Sequence, residues 1–251
     1  MKIERRNSNT WNKRWRRGFT LVELMVVIVI IIVLAALAFV GYGRVKLAGH
    51  KAASINNIRN LSTAALAVAS DNHGRFVDIH ANRGYPYLIS RKFRDDYGIS
   101  KGNAYSAAND CWKPDGLDHC QDRDMWDWQD HVSVFGYTCL INDRSENNAN
   151  YSWINGSFEE PDNWDRIEKR VTYQVGNKTA VRWVPERLGQ EAAYPVLFAD
   201  LCRILNGKVV GNFIRDNQPL GVHVGYIDGH VEWVDGKSVK QRYNGPAKVF
   251  W

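Results

Sequence analysis

The chain lacks the sequence signatures of the common enzyme classes. It contains no G-x-S-x-G, H-E-x-x-H or P-loop motif, and its seven histidines stand at no fixed spacing from a catalytic partner. These motifs mark nucleophiles, zinc sites and phosphate-binding loops, because each chemistry needs its residue types at a set spacing. The sequence therefore predicts that the protein is not an enzyme and that it has no cofactor.

An excess of charge is also missing from most of the chain. Residues 1–18 hold seven of the 33 Lys and Arg residues but one of the 27 Asp and Glu residues, which leaves 26 of each sign in residues 19–251. A protein that binds nucleic acid needs a basic surface to neutralise phosphates. The overall charge of +6 thus belongs to the first 18 residues, and no nucleic-acid partner is predicted.

A long apolar run follows this basic segment. Residues 24–40 have neither a charge nor a hydroxyl, and with residues 19–22 the run reaches about the 20 residues that cross a bilayer. One carboxylate, Glu23, interrupts it. An ionised acid inside such a helix costs about 3 kcal/mol, so an intramembrane carboxylate predicts a functional site with a cationic partner.

Residues 16–24, Arg-Arg-Gly-Phe-Thr-Leu-Val-Glu-Leu, resemble the class III leader and first helix of type IV pilins and type II secretion pseudopilins. The resemblance implies that prepilin peptidase cleaves after Gly18 and that the new N-terminal Phe19 is methylated. It also implies that Glu23 pairs with the N-terminal ammonium of a neighbouring subunit during assembly. An ordinary secretory signal, cut after Ala38 in the A-x-A sequence at residues 36–38, remains the alternative.

The helix is expected to continue beyond the apolar run, from about Thr20 to about Ser70. A stripe of apolar residues recurs at intervals of three or four along its second half, at Ile55, Ile58, Leu61, Ala65 and Val68. Asp71-Asn72-His73-Gly74 is a helix stop signal. The sequence departs from type IVa pilins in having Val40 and Ile32 where those have Pro and Gly, so local melting of the helix is expected at Gly41–Gly43 instead.

The fold class predicted from these features is α+β, with a long transmembrane and amphipathic helix packed on an antiparallel β-rich head. The predicted domains are a leader (1–18), a transmembrane helix (19–40), its amphipathic continuation (41–74) and a periplasmic head (75–251). In the head, Asp228-Gly229 between alternating runs predicts a hairpin with a type I′ turn, and Asp235-Gly236 predicts a third strand in the same meander. Residues 194–200 predict a buried strand.

The helix stop, the strand at residues 197–200 and the terminal hairpin resemble the large pilin-like paralogue families of planctomycetes, verrucomicrobia and lentisphaerae. Those families carry a histidine ten residues before the hairpin Asp. Here that position is Gln218, and the nearest histidine is His223.

Four cysteines, Cys111, Cys120, Cys139 and Cys202, suit an oxidising envelope compartment. Three pairings are open, and proximity in sequence favours Cys111–Cys120 with Cys139–Cys202. A zinc site at Cys111, His119 and Cys120 is the alternative, although its spacing fits no zinc motif.

Seven Asp residues between Asn109 and Asp130 offer oxygen ligands for calcium, with Asp115, Asp118, Asp122 and Asp124 as candidates. Without EF-hand spacing, a solvated acidic loop explains them as well. Residues 19–251 also carry eight tryptophans, and Trp126, Trp128 and Trp251 suggest sugar stacking by an adhesin. Core packing by tryptophan is the alternative.

The sequence is thus interpreted as a pilin-like or pseudopilin subunit of a type IV filament or a type II secretion pseudopilus. Its expected partners are copies of itself or other pilin-like subunits, prepilin peptidase and the inner membrane. The basic leader is expected to stay in the cytoplasm, with a single membrane pass and the head in the periplasm. A filament-borne or membrane-anchored adhesin is the alternative function.

Overall fold

The computed structural model describes residues 19–79, 86–109, 117–118, 121–122, 126–127, 132–141, 157–175, 177–205, 207–244 and 248–251. The chain divides into two compact units, Met1–Lys46 and Leu47–Trp251. The helices are α1 (Leu21–Asp71), α2 (Arg91–Asp96), α3 (Lys101–Ala104) and α4 (Trp164–Val171).

Short antiparallel strands recur through the second unit. In chain order they are β1 (Leu88–Ser90), β2 (Leu117–Asp118), β3 (Gln121–Asp122), β4 (Val132–Val134), β5 (Tyr137–Cys139), β6 (Ser157–Phe158), β7 (Thr172–Val175), β8 (Lys178–Val181), β9 (Val196–Asp200), β10 (Cys202–Leu205), β11 (Lys208–Gly211), β12 (Ile214–Arg215), β13 (Gln218–Pro219), β14 (Gly221–Tyr226), β15 (Val231–Asp235), β16 (Gln241–Asn244) and β17 (Lys248–Phe250). The α+β class with an N-terminal helix and antiparallel sheets is confirmed.

Helix α1 covers the predicted span almost residue for residue. In the first unit the large apolar side chains of α1 between Leu21 and Leu37 are exposed, from Leu21 at 73% to Val27 at 45%. Among the described residues no single helix meets the length and hydropathy expected of a membrane span, and Leu21–Leu37 and Gly41–Asp71 meet them only as a pair.

The helix ends where the stop signal predicts. The amide of Gly74 donates to the Ala69 carbonyl at 2.7 Å, and the Asn72 side chain donates to the Val68 carbonyl at 2.7 Å. His73 and Gly74 take the left-handed conformation, with φ of 55° and 83°. These bonds satisfy carbonyls that the end of a helix leaves without intrahelical partners.

Two sheets carry the core of the second unit. One has four strands in the order β15-β14-β9-β5, and the other has five in the order β11-β10-β17-β16-β6. All five residues of β9, the strand predicted within residues 194–200, are buried. The predicted apolar stripe of α1 is also buried from Ile58 to Val68, and Ile55 is half-buried.

The contact between α1 and the four-stranded sheet is closest at Gly225 on β14. A Cβ atom built there would lie 2.4 Å from Cγ2 of Ile58 and 3.2 Å from Oγ of Ser62. Packing therefore favours glycine at this position, because a side chain would overlap the helix unless the helix or the strand moved.

The predicted hairpin forms from β14 and β15, but the predicted turn type is wrong. The amide of Gly229 donates to the Tyr226 carbonyl at 3.0 Å, and the amide of Tyr226 donates to the His230 carbonyl at 2.9 Å. Gly229 has a φ of 88°, while Asp228 does not have a positive φ. The loop is thus a three-residue connection with a left-handed glycine, not a two-residue type I′ turn.

The predicted three-strand meander is also wrong. After β15, the chain turns at Asp235, whose carbonyl accepts from Ser238 at 2.8 Å, and β16 then joins the five-stranded sheet between β17 and β6. The amide of Gly236 donates to the Leu220 carbonyl at 3.0 Å, which holds this turn against the segment before β14. A local turn signal does not specify which sheet the next strand joins.

Candidate assembly site at the start of the first helix

The first turn of α1 contains a reciprocal hydrogen-bond pair between Thr20 and Glu23. Oε2 of Glu23 accepts from the Thr20 amide at 2.8 Å and from Oγ1 of Thr20 at 2.9 Å. In return the Glu23 amide donates to Oγ1 of Thr20 at 3.2 Å. This is a capping box, in which a Thr and a Glu three residues later satisfy two amides at the helix start.

The capping box gives Glu23, the single acid in the apolar run, hydrogen-bond donors within its own chain. The carboxylate lies at the positive end of the helix dipole and has two donors within its own chain, both at Oε2. Among the described residues, Oε1 of Glu23 has no hydrogen-bond partner. The arrangement can therefore hold the carboxylate in place and still present one oxygen to an external cation.

Sequence reasoning missed the role of Thr20. The signal was present, since T-x-x-E directly before an apolar run is the pattern of a capping box. Gly18 lies outside the described residues, and Phe19 is 82% exposed. The predicted cleavage and methylation site at Gly18 and Phe19 stays a prediction.

Two of the four calcium candidates lie among the described residues. Asp118 and Asp122 lie on β2 and β3, whereas Asp115 and Asp124 fall outside the described residues. In the part of the chain that the structure describes, no group of three or more His, Cys, Asp or Glu side chains could hold a metal. The calcium site stays a prediction.

The cysteine pairing between Cys139 and Cys202 is not present in the structure. Both thiols are buried and no disulfide joins them. Cys139 on β5 is in register with Phe198, four residues before Cys202. The predicted pairing of Cys139 with Cys202 is therefore not confirmed. Cys111 and Cys120, like the zinc candidate His119, lie outside the described residues.

Two of the three tryptophans suggested for sugar stacking, Trp251 and Trp126, contact aromatic rings of the second unit. Trp251 is 6% exposed and meets Phe158 and Tyr194 edge-on, with ring centroids 6.5 and 5.6 Å apart. Trp126 is half-buried and stacks on Phe135 at 6.0 Å. Trp128 lies outside the described residues. For Trp251 the alternative of core packing applies, because its ring packs into the aromatic core.

A buried polar cluster that sequence reasoning did not anticipate lies in the second unit. The carboxylate of Asp200, fully buried on β9, accepts from Ser54 Oγ at 2.5 Å, from Asn212 Nδ2 at 2.7 Å and from the amide and Nδ1 of His223, both at 2.7 Å. Ser, His and Asp are the residue types of a hydrolase triad. Here, however, the serine and the histidine both bond to the carboxylate, so Ser54 is not activated by His223.

Comparison with known proteins identifies one segment of the chain. Residues 16–39 match the family model described as the prokaryotic N-terminal methylation motif. No curated protein and no solved structure matches the chain. The match covers the basic pair, the glycine and the apolar run, and it includes the capping box formed by Thr20 and Glu23. The chain therefore has the N-terminus of a type IV pilin-like or pseudopilin-like precursor.

Proposed function

We propose that the protein is a structural subunit of a type IV filament or a type II secretion pseudopilus. The observation that carries the proposal is the methylation motif at residues 16–39. This motif is typical of membrane-anchored pilins that are processed by prepilin peptidase and assemble with other pilin subunits. It points to a structural subunit rather than to an enzyme.

The exposed apolar surface of the first unit supports this proposal. The large apolar side chains between Leu21 and Leu37 are 45–73% exposed. Apolar surface of this extent is rare on soluble monomers and marks a site that contacts a membrane or another protein. A bilayer covers it before assembly, and the helices of neighbouring subunits cover it afterwards.

The proposed orientation follows from the charges on either side of this run. Seven Lys and Arg residues precede it within residues 1–18. Such an excess holds the N-terminus in the cytoplasm. The head is then periplasmic in a single-pass inner-membrane precursor, with domain boundaries at residues 18, 40 and 74.

Glu23 is proposed as the assembly residue. Once cleavage has released the amine of Phe19, the nearest cation in lipid is that amine on an adjacent subunit. Oε2 is held by Thr20 at 2.8 and 2.9 Å, and Oε1 receives the neighbour's ammonium. Pairing of the two groups removes the cost of leaving either one charged and alone in lipid.

We also propose that the protein is related to the pilin-like paralogues of planctomycetes, verrucomicrobia and lentisphaerae that its sequence resembles. The buried strand β9 and the β14–β15 hairpin, two of the features that carry this resemblance, both form. The placement of Trp251 in the core gives no support to the adhesin alternative.

Processing of the precursor in cells that carry prepilin peptidase tests the proposal. We expect N-terminal sequencing of the wild-type protein to begin at N-methylated Phe19. Gly18→Val blocks cleavage, because the peptidase needs a small residue before the scissile bond, and the basic leader remains attached. Gly43→Val is the matched control, since a Cβ at Gly43 meets no atom within 4 Å.

Cleavage of Gly43→Val at the wild-type position is expected. Normal maturation of Gly18→Val, or a mature N-terminus at Phe39, would overturn the proposed processing. A start at Phe39 would identify residues 1–38 as an ordinary secretory signal.

A further inference from the structure

Three polar side chains on α1 follow one another at intervals of three residues and meet three strands of the four-stranded sheet. Nζ of Lys51 lies 3.4 Å from the ring centroid of Trp233 on β15. Oγ of Ser54 donates to Oδ1 of Asp200 on β9 at 2.5 Å. We call Lys51, Ser54 and Asn57 the polar row.

Asn57 completes the row at the far edge of the sheet. Its Nδ2 donates to the hydroxyl of Tyr137 on β5 at 3.0 Å and to the Gly102 carbonyl at 3.1 Å. The strand order is β15-β14-β9-β5, so the polar row runs across the sheet. The remaining strand, β14, meets the helix at Gly225.

The apolar stripe beside this row does not by itself fix where along α1 the sheet lies. Ile58, Leu61, Ala65 and Val68 recur every three or four residues, so a slide of one helical turn replaces apolar side chains by other apolar side chains. Hydrophobic burial is non-directional and depends mainly on area. The stripe therefore determines which face of the helix is buried, but constrains its axial position weakly.

The buried carboxylate of Asp200 needs the hydrogen bond that Ser54 of the polar row donates. It is fully buried, and all of its partners in the structure are donors. The amide of Asn212 cannot turn over to compensate, because its Oδ1 accepts from Asn109 at 2.7 Å and its Nδ2 also donates to the Gly136 carbonyl at 3.0 Å. A helix moved by one turn would bring His50 or Ile58 to the place of Ser54.

A slide would also remove the other two contacts at the same time. Lys51 would leave the face of Trp233, and the buried hydroxyl of Tyr137 would lose the Asn57 amide. A buried acceptor or donor without a partner costs more than the net gain of making the bond. Buried polar groups of this kind are known to set register where apolar packing alone is permissive.

We propose that the polar row, with Asp200 as its central partner, sets the axial register of α1 on the four-stranded sheet. It selects one of several positions that the apolar stripe allows, and so decides which residues of α1 the sheet covers. The device acts within a single chain and is independent of the proposed assembly.

Disulfide crosslinking of the full-length protein in detergent reports the register. Ile58→Cys with Gly225→Cys is the native-register pair, because Ile58 is the side chain that a Cβ at Gly225 would touch. Ile55→Cys with Gly225→Cys, in a background with Ile58→Ala to make room, is the slipped-register pair, because a slide of about one turn brings Ile55 towards the place of Ile58. Linked peptides are identified by mass spectrometry, which separates them from products of the native cysteines.

Ser54→Ala is introduced into both pairs and compared with Ser62→Ala. Ser62 is a matched control, since it is buried on the same helix and its Oγ has no hydrogen-bond partner among the described residues. Removing a donor to a buried carboxylate is expected to raise the slipped-register product about tenfold over the Ser62→Ala control, at the expense of the native-register product.

Equal yields in Ser54→Ala and Ser62→Ala would overturn the proposal. The triple variant Lys51→Ala, Ser54→Ala and Asn57→Ala gives the stronger form of the test. We expect the head to fold and the slipped-register crosslink to be the main product. If the native-register crosslink remained the main product, the polar row would not set the register. Near-ultraviolet circular dichroism checks that the variants fold. If the triple variant does not fold, the comparison of Ser54→Ala with Ser62→Ala decides whether the proposal holds.

Discussion

Gly225 offers a direct test of how α1 packs on the sheet. In Gly225→Ala the new Cβ would lie 2.4 Å from Cγ2 of Ile58, whereas carbon atoms in contact prefer about 3.5–4.0 Å. Helix or strand must therefore move apart by about 1 Å. Gly225 does not have a positive φ, so backbone strain does not contribute.

Overpacking of this kind costs about 1–3 kcal/mol of unfolding free energy. The loss of chain entropy that glycine pays in a strand offsets roughly 0.5–1 kcal/mol of this. We expect Gly225→Ala to be less stable than wild type by about 1–2 kcal/mol, which corresponds to a fall in Tm of roughly 2–8 °C for a domain of this size. Tryptophan fluorescence during urea and thermal unfolding of the detergent-solubilised protein measures both quantities.

A compensating change makes the prediction specific to the contact. Ile58→Ala alone should cost about 2–5 kcal/mol, because it leaves a cavity. In the double variant the new methyl occupies part of that cavity. Its loss of unfolding free energy should therefore be at least about 1 kcal/mol smaller than the sum of the two single losses. Gly102→Ala is the control, since its Cβ would meet its nearest atom at 3.7 Å. Strict additivity, or no more loss in Gly225→Ala than in Gly102→Ala, would refute this account of the packing.

Three further predictions concern other parts of the chain. Glu23→Leu should insert and be cleaved normally, because it removes an acid that costs about 3 kcal/mol in lipid and loses a helix cap worth only about 1 kcal/mol. The variant should nevertheless fail to assemble. Incorporation into sheared filaments at the wild-type level would show that Glu23 is not needed for assembly. Mass spectrometry of unreduced protein from the envelope should show Cys111 linked to Cys120, and free thiols at both would contradict an oxidising compartment. Burial raises the pKa of Tyr137, so its stabilising effect is complete below pH 10 and is lost as the pH rises further. In Tyr137→Phe the urea midpoint should fall less between about pH 9 and pH 11 than in wild type, and an equal fall would exclude this tyrosine as a cause.

Local features of the sequence predicted the elements of this fold well. The apolar stripe of α1, its stop at Asp71, the buried strand β9 and the β14–β15 hairpin each depend on residues that are neighbours in sequence. Periodicity and turn chemistry report such elements because the residues that specify them lie within a few positions of one another. The motif at residues 16–39 is local in the same sense, and so is the capping box at Thr20 and Glu23, although that pair was overlooked.

Only the tertiary structure decided how these elements combine. The sequence did not reveal that β16 leaves the meander for another sheet, that Trp251 is buried, or that β5 places Cys139 in register with Phe198. The contacts of Asp200 join Ser54, Asn212 and His223, which are separated by 146, 12 and 23 positions from it. No periodicity records such a meeting, because it depends on the order of strands in the sheet and on where α1 crosses them. The N-terminal sequence thus identified a pilin-like N-terminus, while long-range packing determined the strand order and the core of the second unit.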